Sequence, residues 1–219
     1  MDNRQRVVIL GGSGHAKVVI DILQSRGDIQ LEGYLAPVEE GPALCGTPWL
    51  GNDNSLPMLL EQGVRTAFVA IGDNALRKER MEVLLRMGYR LINAISPRAT
   101  VSRHATLGTG ISVMPGAVIN AEANLGDGVI VNTNASVDHD CLIGAFCHVA
   151  PGCSLAGRVR IGEGAFLGTQ TAVIPGISIG AWATVGAGSV VIRNLPDNAT
   201  AFGVPARLRN NRHVGRKHD

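Results

Sequence analysis

Between positions 95 and 191 an aliphatic residue recurs at every sixth place without a gap: Ile95, Val101, Leu107, Val113, Ile119, Leu125, Val131, Val137, Ile143, Val149, Leu155, Ile161, Leu167, Val173, Ile179, Val185, Val191. A period of six matches neither the 3.6 of a helix nor the alternation of a plain strand. It is a hexapeptide repeat, the sequence form of a parallel β-helix whose short strands wrap a column of stacked aliphatic side chains. If three hexads close one triangular coil, residues eighteen apart stack on successive coils, about 4.8 Å from one another. The repeat thereby becomes a ruler for every other residue in it.

Ahead of Ile95 the pattern changes. Val7-Val8-Ile9-Leu10 reads as a buried strand and Gly11-Gly12-Ser13-Gly14 as a tight turn. His15–Gln24 is expected to be a helix with Val18, Val19, Ile22 and Leu23 inward. Leu31–Leu35 and Ala67–Ile71 are further strands, the second ending in Gly72-Asp73-Asn74. A helix from about Ala75 to Met87 would bury Leu76, Met81, Leu84 and Leu85 and stop at Gly88. Leu91–Ile95 is expected to be one strand leading into the coils. Alternating strands and helices imply a small parallel α/β sheet, Rossmann-like, with ligands at the carboxyl ends of its strands. The expected organisation is residues 1–94 as a ligand-binding α/β domain, 95–205 as a β-helix domain, and 206–219 as a basic tail carrying Arg207, Arg209, Arg212, Arg216 and Lys217.

Composition removes several classes of function. A net charge of +2, with acidic and basic residues interspersed, gives no nucleic-acid or polybasic membrane signature. No stretch is long enough to span a bilayer, and no signal peptide follows the first residues, which points to a cytoplasmic protein. Aromatic residues are only 4% and glycines number 28, as suits a narrow coil with tight corners. Cys141, Cys147 and Cys153 stand four places after a repeat aliphatic, the slot that Ala117, Ala135 and Ala165 fill elsewhere. They are packing residues facing three sides of the coil, and Cys45 is isolated, so no metal site or disulfide is expected among them.

The chemistry-bearing candidates follow from the ruler. His139, between Asp138 and Asp140, lies eighteen residues before Gly157 and stacks on it. Thr169 and Ala187 form another stack. A histidine held by a carboxylate through one ring nitrogen has a fixed tautomer and can serve as general base, while a solvated corner histidine is the plainer alternative. Neighbours on a regular strand face opposite ways, so contact between His139 and Asp140 requires an irregular corner. His148 is half a coil from His139, and the two can share a site only if a second subunit brings them together. His104 is 35 residues before His139, one short of two coils, and no convergent histidine set for a metal is expected. His104, His213 and His218 look incidental. In the front segment, Gly12-Ser13-Gly14-His15 places backbone N–H groups at a helix N-terminus, which suits a phosphate. Lys17 replaces the third glycine of a dinucleotide fingerprint, so one phosphate-bearing nucleotide fits better than NAD.

Taken together, Gly11–Val19, Ala70–Asn74, Asn132–Asp140 and Gly203–Arg207 resemble the bacterial sugar acetyltransferases of the PglD and NeuD type across nearly the whole chain. The resemblance implies a left-handed β-helix, a homotrimer, and acetyl-CoA held between neighbouring coils as co-substrate, with no metal. It implies His139 as general base with Asp140 as its acidic helper. His148, Gly157, Thr169 and Ala187 would contact the coenzyme, and Ser13, Gly14, His15, Gly72, Asp73 and Asn74 the nucleotide-linked substrate. Where PglD-type enzymes carry paired aspartates after the second strand, this chain has Ala36-Pro37, which leaves the nucleotide base open. The expected activity is N-acetylation of a nucleotide-diphosphate-linked amino-deoxysugar by direct attack of its amine on the thioester. O-acetylation of a sugar such as sialic acid is the nearest alternative. A non-catalytic trimeric nucleotide-sugar-binding protein is the alternative of another class.

Overall fold

The computed structural model describes residues 4–39 and 43–209; Arg212, His213, Arg216, Lys217 and His218 lie outside the described residues. The front segment forms strand β1 (Gln5–Leu10), helix α1 (Gly14–Gln24), β2 (Ile29–Leu35), a short helix α2 (Leu56–Glu61), β3 (Thr66–Val69), α3 (Asn74–Arg86) and β4 (Arg90–Leu91). The four strands make one parallel sheet in the order β2-β1-β3-β4. Val7, Ile9 and Phe68 point to the face covered by α1, and Val8, Leu10 and Val69 to the face covered by α2 and α3. No described helix is long and apolar enough to cross a membrane.

Two-residue strands then follow at every sixth position, from β5 (Ala94–Ile95) to β21 (Val190–Val191). They stack as three parallel sheets in a β-solenoid, each residue pairing with one eighteen away: Asn124 with Leu142, His148 with Phe166, Ser136 with Ser154. The repeat aliphatics fill the centre. Val113 through Val191 are fully or almost fully buried, whereas Ile95, Val101 and Leu107, in the first coil, are only partly so. Cys141, Cys147 and Cys153 lie buried against the same column, one ahead of each sheet's strand, as packing residues.

The corners obey the same period. Every sixth residue from Gly110 to Gly188 has φ between 56° and 75°, including Asn134, Asp140, Phe146, Arg158, Gln170 and Trp182. Asparagine and aspartate tolerate this left-handed region better than most side chains do. Each such residue turns the chain from one face of the prism to the next.

Several expectations are corrected. Leu76 and Leu85 of α3 are exposed; the buried face is Asn74, Arg77, Met81 and Leu84, a helical stripe with two polar members. Val18 of α1 is exposed and Ile20 takes its place inside. The run Leu91–Ile95 is not one strand. It breaks at Asn93, whose side-chain amide donates to the Gly108 carbonyl (2.8 Å) and accepts the Ile111 N–H (3.0 Å). This amide bridges the end of the front sheet to the first coil.

Candidate active site

His139 occupies the corner after β12 (Ser136–Val137) and ahead of β13 (Leu142–Ile143). Asp140, the next residue, takes φ 59°, and that turn swings its carboxylate back beside the ring. Asp140 Oδ2 lies 2.7 Å from His139 Nδ1. The irregular corner needed for this contact is therefore the ordinary corner of the coil. Asp138 does different work: its Oδ1 accepts the His139 backbone N–H (2.8 Å) and the Asn120 side-chain amide (2.8 Å). The Asn120 bond, then the His139 N–H, holds its carboxyl below the usual range.

With Nδ1–H directed to Asp140, the lone pair of the ring is on Nε2. That nitrogen stands over Gly157: a Cβ built there would lie 2.6 Å from both Nε2 and Cε1. Only a glycine fits beneath the imidazole. Gly157 is buried, and its N–H makes no hydrogen bond among the described residues, leaving a donor beside the ring. Both His139 and Asp140 are about half exposed. Thr169 and Ala187 are exposed at a different corner and stacked, Gly188 N–H donating to Thr169 O.

His148 belongs to another face. It sits on β14 (His148–Val149), its ring edge-on to Phe166 at 5.3 Å between centroids. Asn132 Oδ1 accepts the Thr133 N–H, so its amide nitrogen donates to His148 Nε2 (3.1 Å). That leaves the ring proton on Nδ1. Nδ1 makes no hydrogen bond of good geometry, yet the Gly72 backbone is close enough to favour the protonated ring and offset part of its burial. His15 comes from α1 toward the same place, its Nε2 buried without a partner. Burial pushes both imidazoles down to about 4, and the Arg77 charge adds to this in each.

Arg77 is the residue that periodicity missed. It is completely buried between α3 and the coil, and among the described residues no carboxylate forms an ion pair with it. Its guanidinium donates to the Gly128 carbonyl (2.7 Å) and the Phe146 carbonyl (2.8 Å) of the coil. On the other side it donates to the Ile71 (3.0 Å) and Gly72 (3.1 Å) carbonyls and to Asn74 Oδ1 (2.8 Å). Burial lowers its pKa to about 10, so it remains charged at neutral pH. A hydropathy pattern has no means of assigning an arginine to a core. The signal that could have found it is the spacing Asn74, Arg77, Met81, Leu84, a regular helical stripe once polar members are admitted.

The front-segment candidates divide among three places. Ser13 lines a pocket of about 360 Å³ with Gly11, Gly12, Ala36, Pro37, Val38, Ile71 and Leu76, at the carboxyl ends of β1 to β3. Its hydroxyl does not cap α1 and makes no hydrogen bond among the described residues. Gly72, Asp73 and Asn74 line a second pocket of about 310 Å³ with Phe166, Trp182 and Thr184, where α3 meets the coil. Gly14 is exposed at the start of α1, and His15 turns inward to His148. For Asp73 and Asn74 the side chains are committed: Asp73 caps α3 through Leu76 N–H (2.8 Å), and Asn74 donates to the Gly164 (3.0 Å) and Ala165 (3.2 Å) carbonyls. What this loop can offer a ligand is chiefly backbone. A separate depression of about 650 Å³ over Asn124, Leu142, Arg160 and Ser178 contains none of the candidate residues.

Comparison with known proteins adds a chemical context. The PglD N-terminal domain model matches residues 6–84, and the six-repeat bacterial transferase hexapeptide model matches residues 158–193. The crystal structure of PerB from Caulobacter crescentus in complex with CoA and GDP-perosamine is 50% identical, covering 93% of this chain and 96% of that one, with a TM-score of 0.88. Variants of one histidine of that perosamine N-acetyltransferase have also been solved with the same ligands. The acetyltransferase domain of PglB from Neisseria gonorrhoeae, in complex with acetyl coenzyme A, is 36% identical over 94% of this chain and 100% of that one, with a TM-score of 0.87. The UDP-N-acetylbacillosamine N-acetyltransferase of Bacillus subtilis is 37% identical over 115 residues. The matches with curated relatives span about a quarter to a half of those proteins' lengths, 24% for one from Acanthamoeba polyphaga mimivirus and 51% for the Bacillus enzyme.

Proposed function

The chain belongs to the family of hexapeptide-repeat acetyltransferases with a PglD-type N-terminal domain, and from that premise we propose that it N-acetylates a nucleotide-linked amino sugar. The observation that carries the reading is the His139 ring, held through Nδ1 by Asp140 and presenting Nε2 over Gly157. The perosamine and bacillosamine enzymes support the substrate class, and a GDP-linked 4-amino sugar is the first to test.

Acetyl-CoA would supply the acetyl group as an activated thioester. The residues fit such a partner: a base on an exposed corner of the coil, and a backbone N–H next to it that makes no hydrogen bond among the described residues. His139 Nε2 accepts the proton that the sugar amine loses as it attacks, and Asp140 sets the tautomer by holding the neutral ring's proton on Nδ1, which leaves the lone pair on Nε2. Gly157 N–H is positioned to donate to an oxygen that gains negative charge. An amine is already nucleophilic when neutral, so one base suffices. The front segment, residues 1–94, would hold the nucleotide with its diphosphate at Gly12-Ser13-Gly14, where the N-terminus of α1 favours an anion.

The same reading includes a left-handed coil and a homotrimer acting in the cytoplasm. His139 and His148 lie on different faces of one prism, so their joint use needs a second subunit. His148, Thr169 and Ala187 would then meet the coenzyme in the seam between coils.

The test is release of free thiol from acetyl-CoA with GDP-, UDP- and dTDP-linked 4-amino sugars. Wild-type protein should turn over at least one of them, and His139→Ala should lower kcat by about 100-fold or more, the usual contribution of a general base. Turnover within a few-fold of wild type would remove His139 from the reaction. Acetylation of free sialic acid in place of amino-sugar nucleotides would move the activity to a hydroxyl.

A further inference from the structure

The pocket at the carboxyl ends of β1 to β3 continues into a recess of about 90 Å³, the two sharing Gly11, Pro37, Ile71 and Leu76. The shared walls carry apolar side chains, and several backbone groups beside them are already used. Gly11 N–H donates to Leu35 O (2.8 Å), Ala36 N–H donates to Gly51 O (3.0 Å), and Ala36 O accepts the Trp49 indole N–H (3.2 Å). Pro37 has no N–H to offer. Two side chains supply the polar end of the recess: Asp53, at the turn before α2, and Arg80 on α3. Arg80 Nη1 lies 2.8 Å from Asp53 Oδ2, and Asp53 Oδ1 makes no hydrogen bond among the described residues. Leu76 and Arg80 are four residues apart on α3, so one helical face supplies an apolar wall and then a cation.

The geometry points to this recess as the reader of the nucleotide base, with Asp53 and Arg80 selecting guanine. The inference rests on the front segment being a nucleotide site, as proposed above, and adds which base it takes and by which residues. A carboxylate offers two acceptors and no donor. Guanine alone of the common bases presents two adjacent donors, N1–H and N2–H, flanked by the O6 acceptor that a guanidinium can meet. Uracil and thymine present one N–H between two carbonyls, which sets a carbonyl oxygen against a carboxylate oxygen. Cytosine and adenine pair a single amino group with ring acceptors and gain nothing from two carboxylate oxygens. The ring faces would lie between the apolar side chains of Pro37 and Ile71. The segment that follows β2 is thus apolar at Ala36-Pro37, and the carboxylate enters from the turn before α2.

Calorimetric titration of the full chain with GDP, IDP, UDP and dTDP tests this without any mutation. GDP should bind about tenfold or more tighter than UDP or dTDP, and IDP, which lacks the N2 amine, should be weaker than GDP by about tenfold, as loss of one hydrogen bond to a charged group implies. Asp53→Asn should reduce GDP affinity by about tenfold or more and raise affinity for xanthosine diphosphate, whose C2 carbonyl accepts from the new amide. A variant that merely lost its fold would bind neither, and the IDP comparison decides the matter in that case. Equal affinity for GDP and IDP, or for GDP and UDP, overturns base reading by Asp53 while leaving the nucleotide site intact. Failure of wild-type protein to bind any of the four overturns the nucleotide reading itself, and this inference with it.

Discussion

Gly157 has no side chain because the His139 ring fills the space one would occupy. A Cβ at 2.6 Å from two ring atoms cannot be absorbed by the glycine, so Gly157→Ala must push the imidazole off its corner. Since the corner is half exposed, the ring can move outward and the coil should stay folded. The expected outcome is a fall in kcat of about 100-fold, on the scale of a lost general base, with a thermal midpoint little changed. The two flanking aspartates separate in the same assay. Asp140→Asn removes the acceptor that fixes the proton on Nδ1 and should lower kcat by about 10- to 100-fold, on the scale of misplacing a general base. Asp138→Asn leaves the ring contact in place, disturbs only the backbone and Asn120 bonds, and should cost activity far less. If the two substitutions had equal effects on kcat, the role given to Asp140 would be wrong.

At the scale of elements, the coil was legible because its determinant is strictly periodic. One aliphatic side chain in six stacks on its counterparts, and the register of eighteen follows from three faces per turn. The corner that joins Asp140 to His139 was legible too, in a signal that hydropathy does not carry. Position 140 shares its phase with Gly110, Gly116, Gly128, Gly152, Gly164, Gly176 and Gly188, which marks it as a left-handed turn position. Helix α3 was only half legible. Its apolar residues suggest a stripe through Leu76 and Leu85, but its inner face is decided by hydrogen-bonding capacity, since Arg77 and Asn74 satisfy carbonyls that both the loop and the coil leave open. The split at Asn93 was hidden for the same reason, a side-chain amide standing in for strand pairing. Arg77→Met, near in volume but without donors, should therefore destabilise the chain by about 3 kcal/mol or more in urea unfolding, because several buried carbonyls lose their partner together. Arg77→Lys should recover only part of that loss, since one ammonium cannot reach both sets of carbonyls.

For the whole molecule, the seam between front segment and coil is built around a buried charge, Arg77, that forms no ion pair among the described residues. Arg77 from α3, His15 from α1 and His148 from β14 face one another there, and the two imidazoles are neutral at pH 7. Each titrates at about 4 in the folded chain and at about 6.5 in an unfolded one. Between those values the unfolded chain binds more protons, so folding stability is present in full above pH 6.5 and is lost as the pH falls through 4. The paired carboxylates act lower: Asp28, Glu32 and Asp138 are held below their ordinary values by their partners, so their contribution is kept through this window and goes only on further acidification. A loss of thermal midpoint between pH 7 and pH 4.5 is therefore assigned to the seam, with an expected size of about 5 °C or more. Replacing His15 with Gln, which cannot acquire a charge, should flatten that part of the profile while leaving the steeper fall below pH 4. A midpoint independent of pH across this range in the unmodified chain would mean that the two histidines are solvated when the protein is in solution, and that the front segment does not stay closed on the coil.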